Sequence, residues 1–267
     1  MKLQYVSDIH IELRKPKEIP LIVPREQSNG CLALCGDIGD PFSSQYETFI
    51  GVHSPLYRYV LVVSGNHEYY SARRQRTMRE IDDQIEAVCA KFTNVIFMNK
   101  KEIVIENTKF IGCTLWSFVN KELESQMNDY NNIFVDSLRT NSGMHMFPDR
   151  KRRYLREFKR PLEYQDVNLL HQDMITWLEE CIQKTPEPNI IVLTHHAPTE
   201  QMDRTPPSCG YSSDCEFLFT SKVSHWISGH THITRQVSIG NTLCLSNCYG
   251  YPGDPCGHNP ASVIDVL

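Results

Sequence analysis

The chain has 267 residues, 40% of them hydrophobic and 22% charged, with a formal net charge of -5 and a pI near 6.1. That length buries the core of a single α/β domain spanning residues 1–267, and the acidic balance excludes a protein that grips nucleic acid through a broad basic face, so stable nucleic-acid binding is not expected. The opening Met1-Lys2-Leu3-Gln4-Tyr5-Val6-Ser7-Asp8 turns polar too soon for a signal peptide, and no later run approaches the roughly 18 unbroken apolar residues of a membrane span; we expect a cytoplasmic protein without a membrane partner, its ten cysteines mostly reduced.

In chain order, β-type runs occur at Leu3 to Ser7, Leu32 to Cys35 and Tyr59 to Val63. A helical period follows, with Met78, Ile81, Ile85, Val88 and Phe92 stepping by three and four. A strand at Lys109 to Cys113 comes next, then a second helical period at Val167, Leu170, Met174, Trp177 and Cys181. The remaining strands read as Ile190 to Thr194, His225 to Ile227, Thr242 to Ser246 and Ser262 to Val266. Most of these runs are apolar on both faces, as in a sheet covered on two sides, and their alternation with helices means α/β.

Residues 117–166 interrupt the alternation with a polar stretch too long for a plain connection, so they form either an active-site cap or a flexible insertion. The basic run Asp149-Arg150-Lys151-Arg152-Arg153-Tyr154-Leu155-Arg156 lies within it and reads as a solvated helical face.

Five short clusters close predicted strands: Asp8-Ile9-His10, Gly36-Asp37, Gly65-Asn66-His67-Glu68, Thr194-His195-His196 and Gly229-His230-Thr231-His232. An open α/β sheet places its ligand site at such strand ends. Each cluster is weak alone; the ordered set is specific. Imidazoles and carboxylates without a thiolate suit two borderline divalent ions and not a structural zinc finger. Two cations roughly 3.5–4 Å apart repel, so an anion must bridge them. Asp37, after a glycine that permits a tight turn, is the candidate bridge. Two M²⁺ ions offset only in part by Asp8 and Asp37 leave a net positive site for phosphate. The same ions lower the pKa of a bound water from about 15.7 towards 7, so a bridging hydroxide serves as nucleophile and no serine or cysteine is required.

This series resembles the signature of the calcineurin-like metallophosphoesterases over residues 8–232. Thr114-Leu115-Trp116, Met127-Asn128-Asp129-Tyr130 and Asn247-Cys248-Tyr249-Gly250-Tyr251 resemble elements of a prokaryotic-type subgroup whose substrates are mostly unassigned. The resemblance implies a four-layer α/β/β/α sandwich with two mixed sheets and the metals at one end. It implies a first metal site of Asp8, His10, Asp37 and His232, and a second of Asp37, Asn66, His195 and His230, holding Mn, Fe or Zn. It makes His67 a phosphate contact that protonates the leaving alkoxide, a role suited to an imidazole near neutral pH.

Only one of His195 and His196 can face the metals, because successive side chains of an extended strand point to opposite faces. His195, the first residue after the apolar run, is the expected ligand, leaving His196 to support a ligand or touch substrate. Asp40 either orients a ligand imidazole or caps the helix beginning around Ser43. Glu68 is expected to brace its turn. His53, His145, His171, His225 and His258 read as surface or core histidines. Cys209, Cys215, Cys244, Cys248 and Cys256 lack paired zinc-ligand spacing and read as free thiols. The expected function is hydrolysis of a phosphate-ester substrate, monoester or diester. One alternative is cyclic-nucleotide or nucleic-acid diester cleavage assisted by the basic insertion. Another is a non-catalytic scaffold, against which the intact ligand set and His67 argue.

Overall fold

The computed structural model describes residues 1–24, 30–140, 155–203 and 210–266. His145, Cys209 and the basic run from Asp149 to Tyr154 lie outside the described residues.

The first sheet holds β1 (Lys2–Val6), β2 (Cys31–Cys35), β3 (Tyr59–Val63) and β4 (Val95–Phe97), all parallel, and β13 (Val263–Asp265) antiparallel on the β1 edge. The second has the order β11 (Arg235–Ile239), β12 (Thr242–Ser246), β10 (Val223–Ser228), β9 (Asn189–Thr194), β6 (Thr108–Cys113) and β5 (Lys101–Ile105), parallel in its centre and antiparallel at both edges. Strand periodicity sorts the core. Leu3, Ala33, Leu61, Phe110, Ile191, Leu193, Ile227 and Leu245 meet in an apolar cluster between the sheets. Their neighbours Leu32, Leu34, Val60, Val62, Ile111, Ile190 and Val192 pack with the helices. Helices α1 (Ser44–His53) and α2 (Met78–Cys89) cover the first sheet and α4 (Tyr164–Lys184) the second, giving the α/β/β/α order.

Helix α2 starts where Thr77 Oγ1 accepts from the Glu80 amide and Glu80 returns the bond to the Thr77 amide, and its buried stripe is Ile81, Ile85, Val88 and Cys89. Within 117–166 the chain forms the short helix α3 (Asp129–Asn132) and a hairpin of β7 (Phe134–Thr140) with β8 (Leu155–Pro161). The hairpin base is pinned to α2 by Thr77 Oγ1 donating to Asp136 Oδ2 at 3.0 Å and by Lys159 with Glu80 at 2.6 Å. Leu155 and Arg156, the end of the basic run read as helical, therefore open a strand. The described cysteines are free and buried, and no described helix is long and apolar enough to cross a membrane.

Candidate metal centre

All five motifs follow the C-terminal ends of central strands: β1, β2 and β3 in one sheet, β9 and β10 in the other. Their loops turn sharply. Asp8, His10, Asp37, His230 and His232 all have φ between 48° and 66°, a left-handed backbone that costs a non-glycine residue roughly 1–3 kcal/mol and concentrates at functional sites. A Cβ on Gly65 would lie 2.1 Å from Asp37 Oδ1, and one on Gly36 2.3 Å from His195 Nδ1, so both glycines let the loops close on each other. Glu68 binds these loops together: its buried carboxylate accepts from the amides of Asp37 (2.9 Å), Ile38 (2.7 Å), Gly39 (3.3 Å) and Gly65 (2.7 Å). Burial and the Asp37 charge push its pKa up to about 7, against those amides.

The side chains gather in two groups. In the first, Asp8, His10 and His232 present ligand atoms within 4.8 Å of one another. His10 Nδ1 donates to Glu12 Oε1 at 3.2 Å and His232 Nδ1 to Asp254 Oδ2 at 3.0 Å, which leaves the two Nε2 lone pairs facing at 3.2 Å, with Asp8 Oδ1 3.5 Å from His232 Nε2. Asp8 is held by the His230 amide and by Ser7 Oγ.

The second group is Asp37, His195 and His230, all buried. His195 Nδ1 donates to the Cys35 carbonyl at 2.9 Å, so its Nε2 lone pair faces Asn66 Oδ1 at 3.1 Å and Asp37 Oδ1 at 3.4 Å. Asn66 presents oxygen because its amide nitrogen donates to Asp129 Oδ1 at 2.9 Å. His230 Nε2 points to the Gly210 carbonyl at 3.3 Å, and burial together with His196 and His195 holds its pKa well below the usual imidazole range.

Imidazole nitrogens, carboxylate oxygens and the Asn66 oxygen thus converge at both places, with backbone amides of His67 and His230 steadying Asp37 and Asp8, the arrangement a cation completes. Burial disfavours positive charge on His195, but Asp37 beside it outweighs that and raises its pKa to about 10, the same pull that draws a cation to this place. The donor set of carboxylate, imidazole and amide oxygen, with no thiolate in either group, fits borderline divalent ions.

The sequence matches the model of the calcineurin-like phosphoesterases over residues 1–234. The chain belongs to that family. A curated, uncharacterized protein of Acanthamoeba polyphaga mimivirus is 26% identical over 293 residues, covering 99% of this chain and 96% of the relative. The solved structure of a phosphopantetheinyl hydrolase from Mycobacterium tuberculosis is similar in fold, with a TM-score of 0.68 at 14% identity over 94% of this chain and 90% of that one.

On this phosphoesterase scaffold His67 stands beside the first group. Its ring packs edge-on against His10 at 4.5 Å and stacks on Tyr70 at 4.2 Å, while Nε2 lies 2.9 Å from the Tyr251 hydroxyl and Nδ1 3.7 Å from Glu12. Burial lowers its basicity, but Asp37 and Glu12 outweigh that and raise it to about 9. His67, Tyr70 and Asp37 border a cleft of about 360 Å³ whose wall includes Met127, Asp129, Tyr211 and Tyr251. A larger hollow of about 540 Å³, between Gln4 and Tyr249, holds none of the motif side chains.

The structure brings His195 to Asp37; His196 points away, its Nδ1 3.4 Å from the Thr114 carbonyl and its ring 4.1 Å from His230 and 5.2 Å from Trp116. Asp40 does not orient a ligand imidazole. Its exposed carboxylate accepts from the Phe42 amide at 2.9 Å in the turn before α1, whose cap is Ser43. His53 is a core residue bonded to Phe49 and Ile22, and His171, His225 and His258 do not line the cleft. Sequence reasoning missed the residues that hold the imidazoles, Glu12, Tyr251 and Asp254, and the one that orients Asn66, Asp129. Glu12 carried a local signal, two residues after His10. Asp129 and Tyr251 lay in segments noted only for resemblance. Asp254 carried none, since its pairing with His232 depends on a return of the chain beyond β12.

Proposed function

We propose that this phosphoesterase hydrolyses phosphate esters with two divalent cations, one held by Asp8, His10, Asp37 and His232 and the other by Asp37, Asn66, His195 and His230. The observation that carries the reading is the position of Asp37. Its Oδ2 lies 3.7 Å from His10 Nε2 and its Oδ1 3.4 Å from His195 Nε2, so one carboxylate reaches both groups. Cations bound there polarise the phosphate and lower the pKa of water from about 15.7 towards 7. The chain's own residues do the rest. Glu68 holds the two loops that carry Asp37 and Asn66 in register. Glu12, Tyr70 and Tyr251 fix the His67 ring at the mouth of the cleft, where it contacts the phosphate and delivers a proton to the departing alkoxide oxygen. Glu12, beside Nδ1, favours the protonated ring. Among the described residues no lysine or arginine lines the cleft, so the phosphate charge is met by the cations and by His67. Mn, Fe or Zn each suit the donor set, and both monoesters and diesters suit the mechanism.

Exhaustive chelation, verified by elemental analysis, is expected to abolish hydrolysis of an aryl phosphate, with Mn²⁺ restoring it. Turnover that survives complete metal removal contradicts the reading.

A further inference from the structure

Beside the metal cleft lies a second hollow of about 360 Å³, and Tyr70 lines both. We propose that this second hollow, walled by Arg73, Arg74 and Arg76, is a subsite for a second phosphate of the substrate, a proposal that rests on the hydrolytic reading of the neighbouring centre.

Three guanidiniums fall within four residues, and among the described residues none has a carboxylate at ion-pair distance. The two carboxylates on the same wall are engaged elsewhere: Glu68 accepts from four backbone amides and Asp40 caps the Phe42 amide. The loop holds a fixed shape. The amides of Arg74 and Gln75 donate to the Ser71 carbonyl at 3.0 and 2.6 Å, and the Arg76 amide donates to Ser71 Oγ at 3.0 Å. The Ser71 amide in turn donates to the Asn132 carbonyl at 2.7 Å, tying the loop to α3. Arg76 is set over the Phe42 ring, 3.3 Å from its centroid. Partial desolvation and the nearby Arg74 lower the Arg76 pKa, against the pull of Asp40 and Glu80, neither of which is at ion-pair distance. An arginine fork matches phosphate geometry and binds it by paired charge-assisted hydrogen bonds.

The contrast between the hollows gives the location its meaning. Apart from the imidazoles of His67, His230 and His232, which serve the scissile phosphate and the cations, the metal cleft is lined mainly by tyrosines, amides and carboxylates and, among the described residues, has no lysine or arginine. Any charge on the substrate beyond the scissile phosphate therefore meets repulsion from Asp129 inside the cleft and attraction on the far side of Tyr70. A substrate with two phosphates is accommodated by placing one in each hollow, and a substrate with one phosphate leaves the arginines unused.

Two measurements on the metal-loaded full chain test this. Calorimetric titration with inorganic phosphate is expected to find two sites per wild-type chain and one in the variant R73S/R74S/R76S, the lost site being the one more sensitive to added salt. In steady-state kinetics, the ratio of kcat/KM for a nucleoside bisphosphate to that for the corresponding monophosphate is expected to fall at least about tenfold in the variant, the loss of one charge-assisted contact. Identical isotherms and an unchanged ratio overturn the subsite. If neither ester is hydrolysed but the variant still loses a phosphate site, the hydrolytic reading fails and the anion site stands.

Discussion

The two ligand groups meet at Asp37, yet they are held by different kinds of partner. In the first, His10 and His232 donate to the carboxylates of Glu12 and Asp254, whose side chains are 25% and 37% exposed. In the second, His195 and His230 point to the backbone carbonyls of Cys35 and Gly210, and every ligand is buried. A carboxylate partner makes an imidazole a more basic ligand and can be removed by one mutation; a carbonyl partner is neutral and belongs to the fold. The first group is thus tuned by side chains near solvent, the second by the course of the backbone.

The largest expected effect removes what the groups share. Asp37→Asn should release both cations and lower kcat/KM by more than the roughly 10²–10³-fold typical of deleting one transition-state contact. Elemental analysis that still finds both sites filled in this variant would show that Asp37 is not the bridge. The next effect leaves both groups intact. His67→Ala should keep its metals and lose about 10²–10⁴-fold on an alkyl phosphate, but much less on a nitrophenyl ester whose leaving group needs little protonation. Equal losses on both esters would leave His67 only a phosphate contact. The smallest effect separates the groups. Asp254→Ala should weaken metal binding at the first group by about 10–100-fold while the second keeps its affinity, as read by competition with a metal indicator. A parallel fall at both sites would mean that the difference in partners has no consequence.

Much of this was legible in the sequence because it is written in residue type. Strands β1, β2, β3, β6, β9, β10 and β12 coincide with the expected runs to within two residues at either end, since inner strands covered on both faces are mostly apolar, and the edge strand β13 does so through Val263 and Ile264. Three of the strands not foreseen have physical reasons. β4 is three residues long, and the edge strands β5 and β11 expose much of their length, so Lys101, Glu102, Arg235 and Gln236 dilute their apolar signal. Helix α1 buries Tyr46, Phe49, Ile50 and His53 among polar neighbours and announces itself mainly through the Ser43 cap. At the site, the ligand side chains were readable because their chemistry is local to five short motifs. The partners that orient them come from elsewhere in the chain, such as Asp129 reaching Asn66 across 63 positions, and only the folded topology joins them.

The central claim is that one carboxylate joins two metal positions, and diffraction from crystals grown with Mn²⁺, recorded at the manganese absorption edge, tests it most directly. The account predicts two anomalous peaks flanking Asp37, one also in contact with Asp8, His10 and His232 and the other with Asn66, His195 and His230. A single peak, or two peaks of which either lies out of reach of Asp37, would contradict it.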